Sequence, residues 1–418
     1  MASTHKPLLH LLLLVASISI CFTQTHASEP KSIVLSISKD TSSFLYLTET
    51  VGMGTPVGTK TLVVDLRGSH LWIDCDGYRS STFKLAPCGS PSCALAKSAE
   101  CNNNTCYVMS KNTLDGVDTE KLGEVARDTI ALLGPKESNG AVTIPDYIFS
   151  CVNTFEMDAF PNGVWGMLGL GRDQIGFPTQ VASAVGGAFA HKFAICLPAN
   201  STANGVMLLG DYSYKFHSTY IPNTTNDISY RIAHTKLYRK GDDQSSPEYF
   251  VKVTSIYVND IQLSFNSTSI DFETKISTTH PYTTLETSIY KTLIKAFDEE
   301  IISGQKVKKV APVSPFRDCY TKGLMEVSSV GLSTPQISFV FESKKVYWPI
   351  YGANTVVEVS PDVVCLGFMD GGPATTTPIV IGALQMENNL VEFDLAKSQM
   401  GFTSTLILGE TECSSYKL

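Results

Sequence analysis

From Ser32 onward apolar and polar residues alternate with a period of two, placing Ile33, Leu35 and Ile37 on one side of a strand before Phe44, Leu45 and Leu47 begin another. Val51-Gly52-Met53-Gly54-Thr55-Pro56 supplies the Gly and Pro of a hairpin turn, and Lys60 to Asp65 returns as a strand. In that return two β-branched residues, Val63 and Val64, feed Asp65 into a Gly-containing turn ahead of Trp72, which is how a buried strand delivers a carboxylate to a loop. Alternation resumes from Tyr249 to Leu263 and from Leu390 to Leu395, which closes onto Met400 to Phe402. Helical spacing is short-ranged. Phe177 to Val185 reads as a helix opened by Pro178 or Thr179 and stopped by Gly186-Gly187, and a second begins near Thr287 with Tyr290, Leu293, Ile294 and Phe297 on its core face. The pattern predicts an all-β chain with a few short helices.

The 418 residues suffice for two domains and a large core. Residues 1–27 carry Lys6, the apolar run Leu8 to Phe22, then small and polar residues ending at Thr25-His26-Ala27, the pattern of a secretory signal peptide. Polar residues follow at once, and no later stretch approaches transmembrane length, so no membrane partner is expected. Of the eleven cysteines, Cys21 leaves with the leader. The others are Cys75, Cys88, Cys93, Cys101, Cys106, Cys151, Cys196, Cys319, Cys365 and Cys413, an even set whose dispersed spacing implies disulfides. Cys88, Cys93, Cys101 and Cys106 crowd into one Gly-, Pro- and Asn-containing loop that superficially suggests a zinc knuckle, but no His stands nearby and secretion favours disulfides, so no metal is expected. Sequons at Asn103, Asn200, Asn223 and Asn266 sit in polar, turn-rich settings where glycans are plausible. The net charge of −8 comes without a strong basic cluster, and Lys306-Val307-Lys308-Lys309 reads as a solvated loop. No nucleic-acid partner and no cofactor are expected.

The stretch Val63-Val64-Asp65-Leu66-Arg67-Gly68-Ser69-His70-Leu71-Trp72 resembles the first active-site segment of pepsin-like aspartic proteases, in which Asp is followed by Thr or Ser, Gly, and then Leu-Trp. Ile276-Ser277-Thr278-Thr279-His280-Pro281-Tyr282-Thr283-Thr284-Leu285-Glu286 resembles the second, and aligning Thr283, Leu285 and Tyr290 sets Ser277 where those proteases carry their second Asp. The catalysis needs both carboxylates: about 3 Å apart they share one proton, one acting as base on water and the other as acid on the substrate. A serine hydroxyl does not titrate near neutral pH and takes neither part. Leu66 also lacks the hydroxyl that orients the pair, and Arg67 replaces a Gly suited to a tight turn. Asp271, Glu273 and Glu286 are the carboxylates that could rescue the pair, though no Gly turn follows Asp271 or Glu273. Asp65 and Ser277 are therefore expected to be vestigial and the chain not to be an enzyme. Val164-Trp165-Gly166-Met167-Leu168-Gly169-Leu170-Gly171 and Pro378-Ile379-Val380-Ile381-Gly382 follow the two segments in turn, each resembling the apolar-apolar-Gly step that threads beneath an active-site loop of the pepsin fold. The expectation is a bilobal pepsin-like chain, with residues 28–213 and 214–418 as its lobes and the boundary in the polar stretch from Gly210 to Asn226.

Ile73-Asp74-Cys75-Asp76-Gly77, Cys101-Asn102-Asn103-Asn104-Thr105-Cys106, Ile148-Phe149-Ser150-Cys151, Phe193-Ala194-Ile195-Cys196-Leu197 and Val364-Cys365-Leu366-Gly367-Phe368 narrow the resemblance. In this order they are similar to the plant apoplastic aspartic-protease-like proteins: TAXI-type xylanase inhibitors, extracellular dermal glycoproteins, xyloglucan endoglucanase inhibitor proteins and basic 7S globulins. The resemblance implies the pairs Cys75 with Cys151, Cys196 with Cys413, and Cys319 with Cys365. Many relatives carry twelve mature cysteines; here the clustered four pair among themselves in an order the sequence leaves open. The flap sequence of the proteases is missing around Tyr107, which reads as a packing residue beside a disulfide.

The resemblance further implies a secreted, monomeric protein of the apoplast or cell wall that inhibits a microbial glycoside hydrolase. A xyloglucan-specific endo-β-1,4-glucanase is the first expectation and a xylanase the alternative; a storage or stress-related wall protein binding peptide or carbohydrate is the second class, and a residual protease the third. Such hydrolases cut with two carboxylates in an open groove, so a rigid exposed cation is the complementary probe. Arg317, in Pro315-Phe316-Arg317-Asp318-Cys319, is the candidate, with Asp318 as a potential neutralising neighbour. Some inhibitory relatives carry a basic residue where this chain reads Leu408-Gly409-Glu410-Thr411-Glu412-Cys413, and Arg67 is expected to pair locally with Asp65.

Overall fold

The structure, a computed structural model, describes residues 30–98, 100–114, 117–134, 141–153, 160–240, 246–265, 272–305, 307–323, 325–342 and 345–417. From Lys31 onward the described residues fold as one compact unit. The leader read at residues 1–27, the sequon at Asn266 and the carboxylate Asp271 lie outside the described residues. Strand residues outnumber helical ones, 43% against 14%, so the chain is all-β in class.

A central sheet joins distant parts of the chain. Ala233–Lys236, Gln399–Phe402, Leu390–Asp394, Lys192–Cys196, Gly205–Gly210 and Ser32–Lys39 lie side by side in that order, each antiparallel to the next. Because successive side chains point to opposite faces, Phe193, Ile195, Met207 and Leu209 enter the main core. Their neighbours Ala194, Cys196, Val206 and Leu208 enter a smaller one that also holds Cys413, bonded to Cys196. Both faces are covered, which is why every residue of Gly205–Gly210 is buried. Phe193 stacks on Phe393 at 4.9 Å, and the Tyr249 ring lies 4.5 Å from Phe393.

One strand arrangement occurs twice. In the first half Thr61–Asp65 runs parallel to Val164–Gly169, with Asp65 beside Gly169, and Trp72–Asp74 is antiparallel to Val164–Gly169 and parallel to Val142–Val152. In the second half Phe272–Ile276 runs parallel to Ile379–Ile381, with Ile276 beside Ile381, and Thr283–Leu285 is antiparallel to Ile379–Ile381 and parallel to Phe368–Asp370. Asp65 ends the leading strand of one half, and Ser277 follows that of the other. The glycines of the two apolar steps permit the close approach: a Cβ on Gly169 would lie 2.3 Å from His70 O, and one on Gly382 would meet the Tyr282 backbone.

Both expected helices form. Phe177–Val185 has proline in its first turn and ends at Gly186, whose φ of 68° takes the chain out of the helix. Thr287–Gln305 buries Ile289, Leu293, Phe297 and Ile301, one side chain per turn. Five disulfides complete the fold: Cys75–Cys151, Cys196–Cys413 and Cys319–Cys365, with the clustered four resolved as Cys88–Cys101 and Cys93–Cys106. Among the described residues no helix is long and apolar enough to cross a membrane.

Candidate functional site

The two active-site-like loops are joined by one hydroxyl. Thr278 Oγ1 donates to Val64 O at 2.6 Å and accepts from the Leu66 N–H at 3.2 Å, so the residue after Ser277 clasps the strand that delivers Asp65. Leu66, in the matching position of the first loop, has no hydroxyl to return the clasp and is fully buried. Asp65, Ser277 and Thr279 are likewise at 0% exposure, so this centre is sealed from solvent.

Asp65 Oδ1 accepts from the Arg67 N–H at 2.8 Å, whereas Oδ2 is buried without a hydrogen-bond partner among the described residues. Burial pushes the Asp65 carboxyl up to about 6, against the pull of the Arg67 charge and the backbone N–H groups of Arg67 and Gly68. Ser277 Oγ lies 2.9 Å from His280 Nδ1 and 3.3 Å from Thr279 Oγ1. A serine beside an imidazole is the beginning of a nucleophile, but the Ser277 hydroxyl has no accessible surface. Of the two rescuing carboxylates among the described residues, Glu273 lies opposite Lys252 in the strand Phe272–Ile276, and Glu286 Oε2 accepts from the Ser288 N–H at 2.8 Å at the start of the long helix.

Arg67 departs from the expected local pair. Its Nε donates to Glu248 at 2.7 Å, and Lys275 Nζ stands 3.3 Å from the same oxygen. Burial would raise the Glu248 carboxyl, but Lys275 and Arg67 hold it below the usual range. The triad ties the first loop to the strand that delivers Ser277. No sequence signal announces Glu248 in Pro247-Glu248-Tyr249, whereas Thr278 and His280 stand within three residues of Ser277 in the segment that marks the second loop. On the other side of the Asp65 loop His70 bridges Ser69 Oγ at 2.8 Å, Ser150 Oγ at 2.9 Å and Ser110 Oγ at 3.0 Å. Burial lowers its pKa to about 4, so the imidazole is neutral and serves as a structural bridge to the strand Thr105–Leu114. Tyr107 on that strand, next to the disulfide-bonded Cys106, is half-buried, with its hydroxyl 3.0 Å from Glu124 Oε1.

Arg317 stands at the foot of a turn. Phe316 donates its N–H to Val313 O at 2.8 Å, residues 311–315 are exposed, and the Phe316 ring is buried against Tyr282, centroids 4.8 Å apart. The Arg317 side chain is 65% exposed, with Nη1 2.8 Å from Asp370 Oδ2. Asp370, and not Asp318, is its counter-charge; Asp318 turns inward to the Tyr290 hydroxyl and to Lys309 Nζ at 2.5 Å. The segment before Cys413 has no cation of its own, yet Arg231 lies against it: a Cβ on Gly409 would be 2.7 Å from Arg231 Nη1. The sequons Asn103, Asn200 and Asn223 are all exposed in turns. Among the described residues no cluster of three His, Cys, Asp or Glu side chains is arranged to hold a metal ion.

Two matching strand sets around paired loops define the pepsin-like aspartic-protease fold, and an aspartic proteinase from Irpex lacteus shares it, with a TM-score of 0.59 at 16% identity over 90% of this chain and 97% of that one. Within that fold the chain belongs to the xylanase-inhibitor family: residues 46–211 match the model described as Xylanase inhibitor N-terminal, and 248–404 the one described as Xylanase inhibitor C-terminal. It is similar to the probable aspartic proteinase GIP2 of Nicotiana benthamiana, 38% identical over 98% of this chain and 97% of that one. Gamma conglutin 1 of Prunus dulcis is 32% identical over 97% and 94% of the two chains. The crystal structure of edgp superposes with a TM-score of 0.84 at 38% identity, covering 93% of this chain and 98% of that one.

Proposed function

We propose that this protein is a secreted, proteolytically inactive member of its family that inhibits a microbial cell-wall-degrading glycoside hydrolase, a xyloglucan-specific endoglucanase before a xylanase. The observation that carries the reading is the sealed centre, in which Asp65 has a serine, Ser277, at the equivalent place in the other half. A single buried carboxylic acid cannot divide base and acid duties over a peptide bond. The core and the five disulfides among the described residues are intact, which leaves recognition as the use of the fold. Support for the partner class comes from the family's description as xylanase inhibitors.

Arg317 is the proposed contact. Its turn is exposed, Phe316 anchors it from below, and the Cys319–Cys365 disulfide braces the strand behind it. Its ion pair with Asp370 is exposed and weak enough to exchange for the carboxylates of a hydrolase groove, where water exclusion strengthens the same bond. The similarity to gamma conglutin 1 favours a second reading, a storage or wall protein that binds without inhibiting. Titrating purified xyloglucan endoglucanase and xylanase with the protein separates them. Stoichiometric loss of endoglucanase activity supports inhibition; full activity of both hydrolases at excess protein leaves the second reading.

A further inference from the structure

We propose that Asn223 carries an N-linked glycan whose first sugar packs on Tyr220, so that the sugar is the missing cover of an exposed apolar hairpin tip. The strands Lys215–His217 and Thr225–Asp227 form the hairpin. Ser218 N–H donates to Thr224 O at 2.8 Å, the N–H groups of Tyr220 and Ile221 both reach Ser218 Oγ at 3.3 and 3.0 Å, and Thr219 N–H donates to Glu410 O at 2.8 Å. The tip is thus tightly ordered. Yet its two largest apolar side chains pack on little: Tyr220 is 63% and Ile221 54% exposed. Holding two such groups in water on an ordered turn points to a cover.

The cover is encoded in the same turn. Thr224 N–H reaches Ile221 O at 3.3 Å, leaving Pro222 and Asn223 at the two central positions, and Asn223 takes a φ of 61°. Proline first and a left-handed asparagine second is the residue order such a turn favours. Asn223-Thr224-Thr225 is a sequon, so the acceptor nitrogen sits at the apex with an exposed aromatic ring three residues earlier. The other described sequons lack that neighbour: Glu100 precedes Asn103 by the same interval, and the fully buried Leu197 precedes Asn200. The Asn223 amide nitrogen bonds to the anomeric carbon of a lipid-diphosphate-linked oligosaccharide; the lipid diphosphate leaves with the electron pair of the old C–O bond, and the amide loses one proton. The apolar face of the attached sugar then meets the Tyr220 ring while its hydroxyls stay in water, as amphipathic contacts with tyrosine do.

The test uses the full chain secreted from a eukaryotic host, with peptide mass mapping and thermal unfolding of four proteins: parent, Thr225→Ala, Tyr220→Ala and the double variant. Thr225→Ala removes the sequon without touching Asn223, and Thr225→Ser restores it. The expected result is an occupied Asn223, a Tm about 1–2 °C lower in Thr225→Ala, and no further drop on removing the sequon once Tyr220 is alanine. An unmodified Asn223 in the parent, or a glycan whose loss costs the same with and without Tyr220, overturns the proposal.

Discussion

Substituting Asp65→Asn should change how stability depends on pH. The Asp65 carboxyl is fully buried with a pKa of about 6, against 3.8 for the unperturbed group. The folded chain therefore holds this proton more tightly than the unfolded chain does. Below about pH 4 both states are protonated and the group is neutral with respect to folding. As pH rises to about 6 the unfolded state releases its proton first and gains relative to the folded state, and above that the stability lost is about 3 kcal/mol at roughly 1.36 kcal/mol per pKa unit. An asparagine does not titrate. Its amide puts a buried NH2 group, with two N–H donors, in place of Oδ2, a cost of about 1–3 kcal/mol or more that does not vary with pH, so the slope and not the absolute stability is diagnostic. Thermal unfolding of parent and variant at closely spaced pH values from 3.5 to 7.5 is the assay. The Tm of the parent should fall relative to Asp65→Asn by about 3–6 °C between pH 4 and pH 7. Parallel curves would refute the argument, since they would mean that the carboxyl is solvated or paired in the folded state.

Arg317→Ala should weaken hydrolase inhibition at least about 30-fold, the scale of an interface hot spot, while the exposed pair with Asp370 makes its stability change no more than about 0.5 kcal/mol; inhibition titration and denaturant unfolding read the two separately. Glu248→Gln removes the carboxylate that Arg67 and Lys275 share, and urea unfolding should show a loss of about 1–3 kcal/mol. Ser277→Asp restores the missing carboxylate in name only: with Leu66 in place of a hydroxyl and the centre sealed, no peptide cleavage is expected at pH 3–5, and the variant should be less stable at pH 7 than at pH 4. Cleavage of a generic peptide substrate by Ser277→Asp would show that the second carboxylate alone separates this chain from a protease.

The strands around Ile33, Val63 and Tyr249 and the helices at Phe177 and Thr287 were legible in the sequence, because alternation, helical spacing and Gly or Pro punctuation act over a few residues; of the turn read at Val51 to Pro56, Val51–Met53 is itself a strand and the turn is residues 54–57. The segment that carries Ser277 was legible for the same reason, as a local stretch that the structure places after the leading strand of the second half. Partners far apart in the chain were not. Arg67 meets Glu248 rather than Asp65, Arg317 meets Asp370 rather than Asp318, and Thr278 clasps Val64 from the other half. Cys88 chooses Cys101 and Cys93 chooses Cys106 only once their loop is folded. Charge, hydroxyl and thiol chemistry is written residue by residue, but which groups meet depends on closing long loops around a shared core, and the sealing of Asp65 that sets its proton affinity is a property of that packing alone.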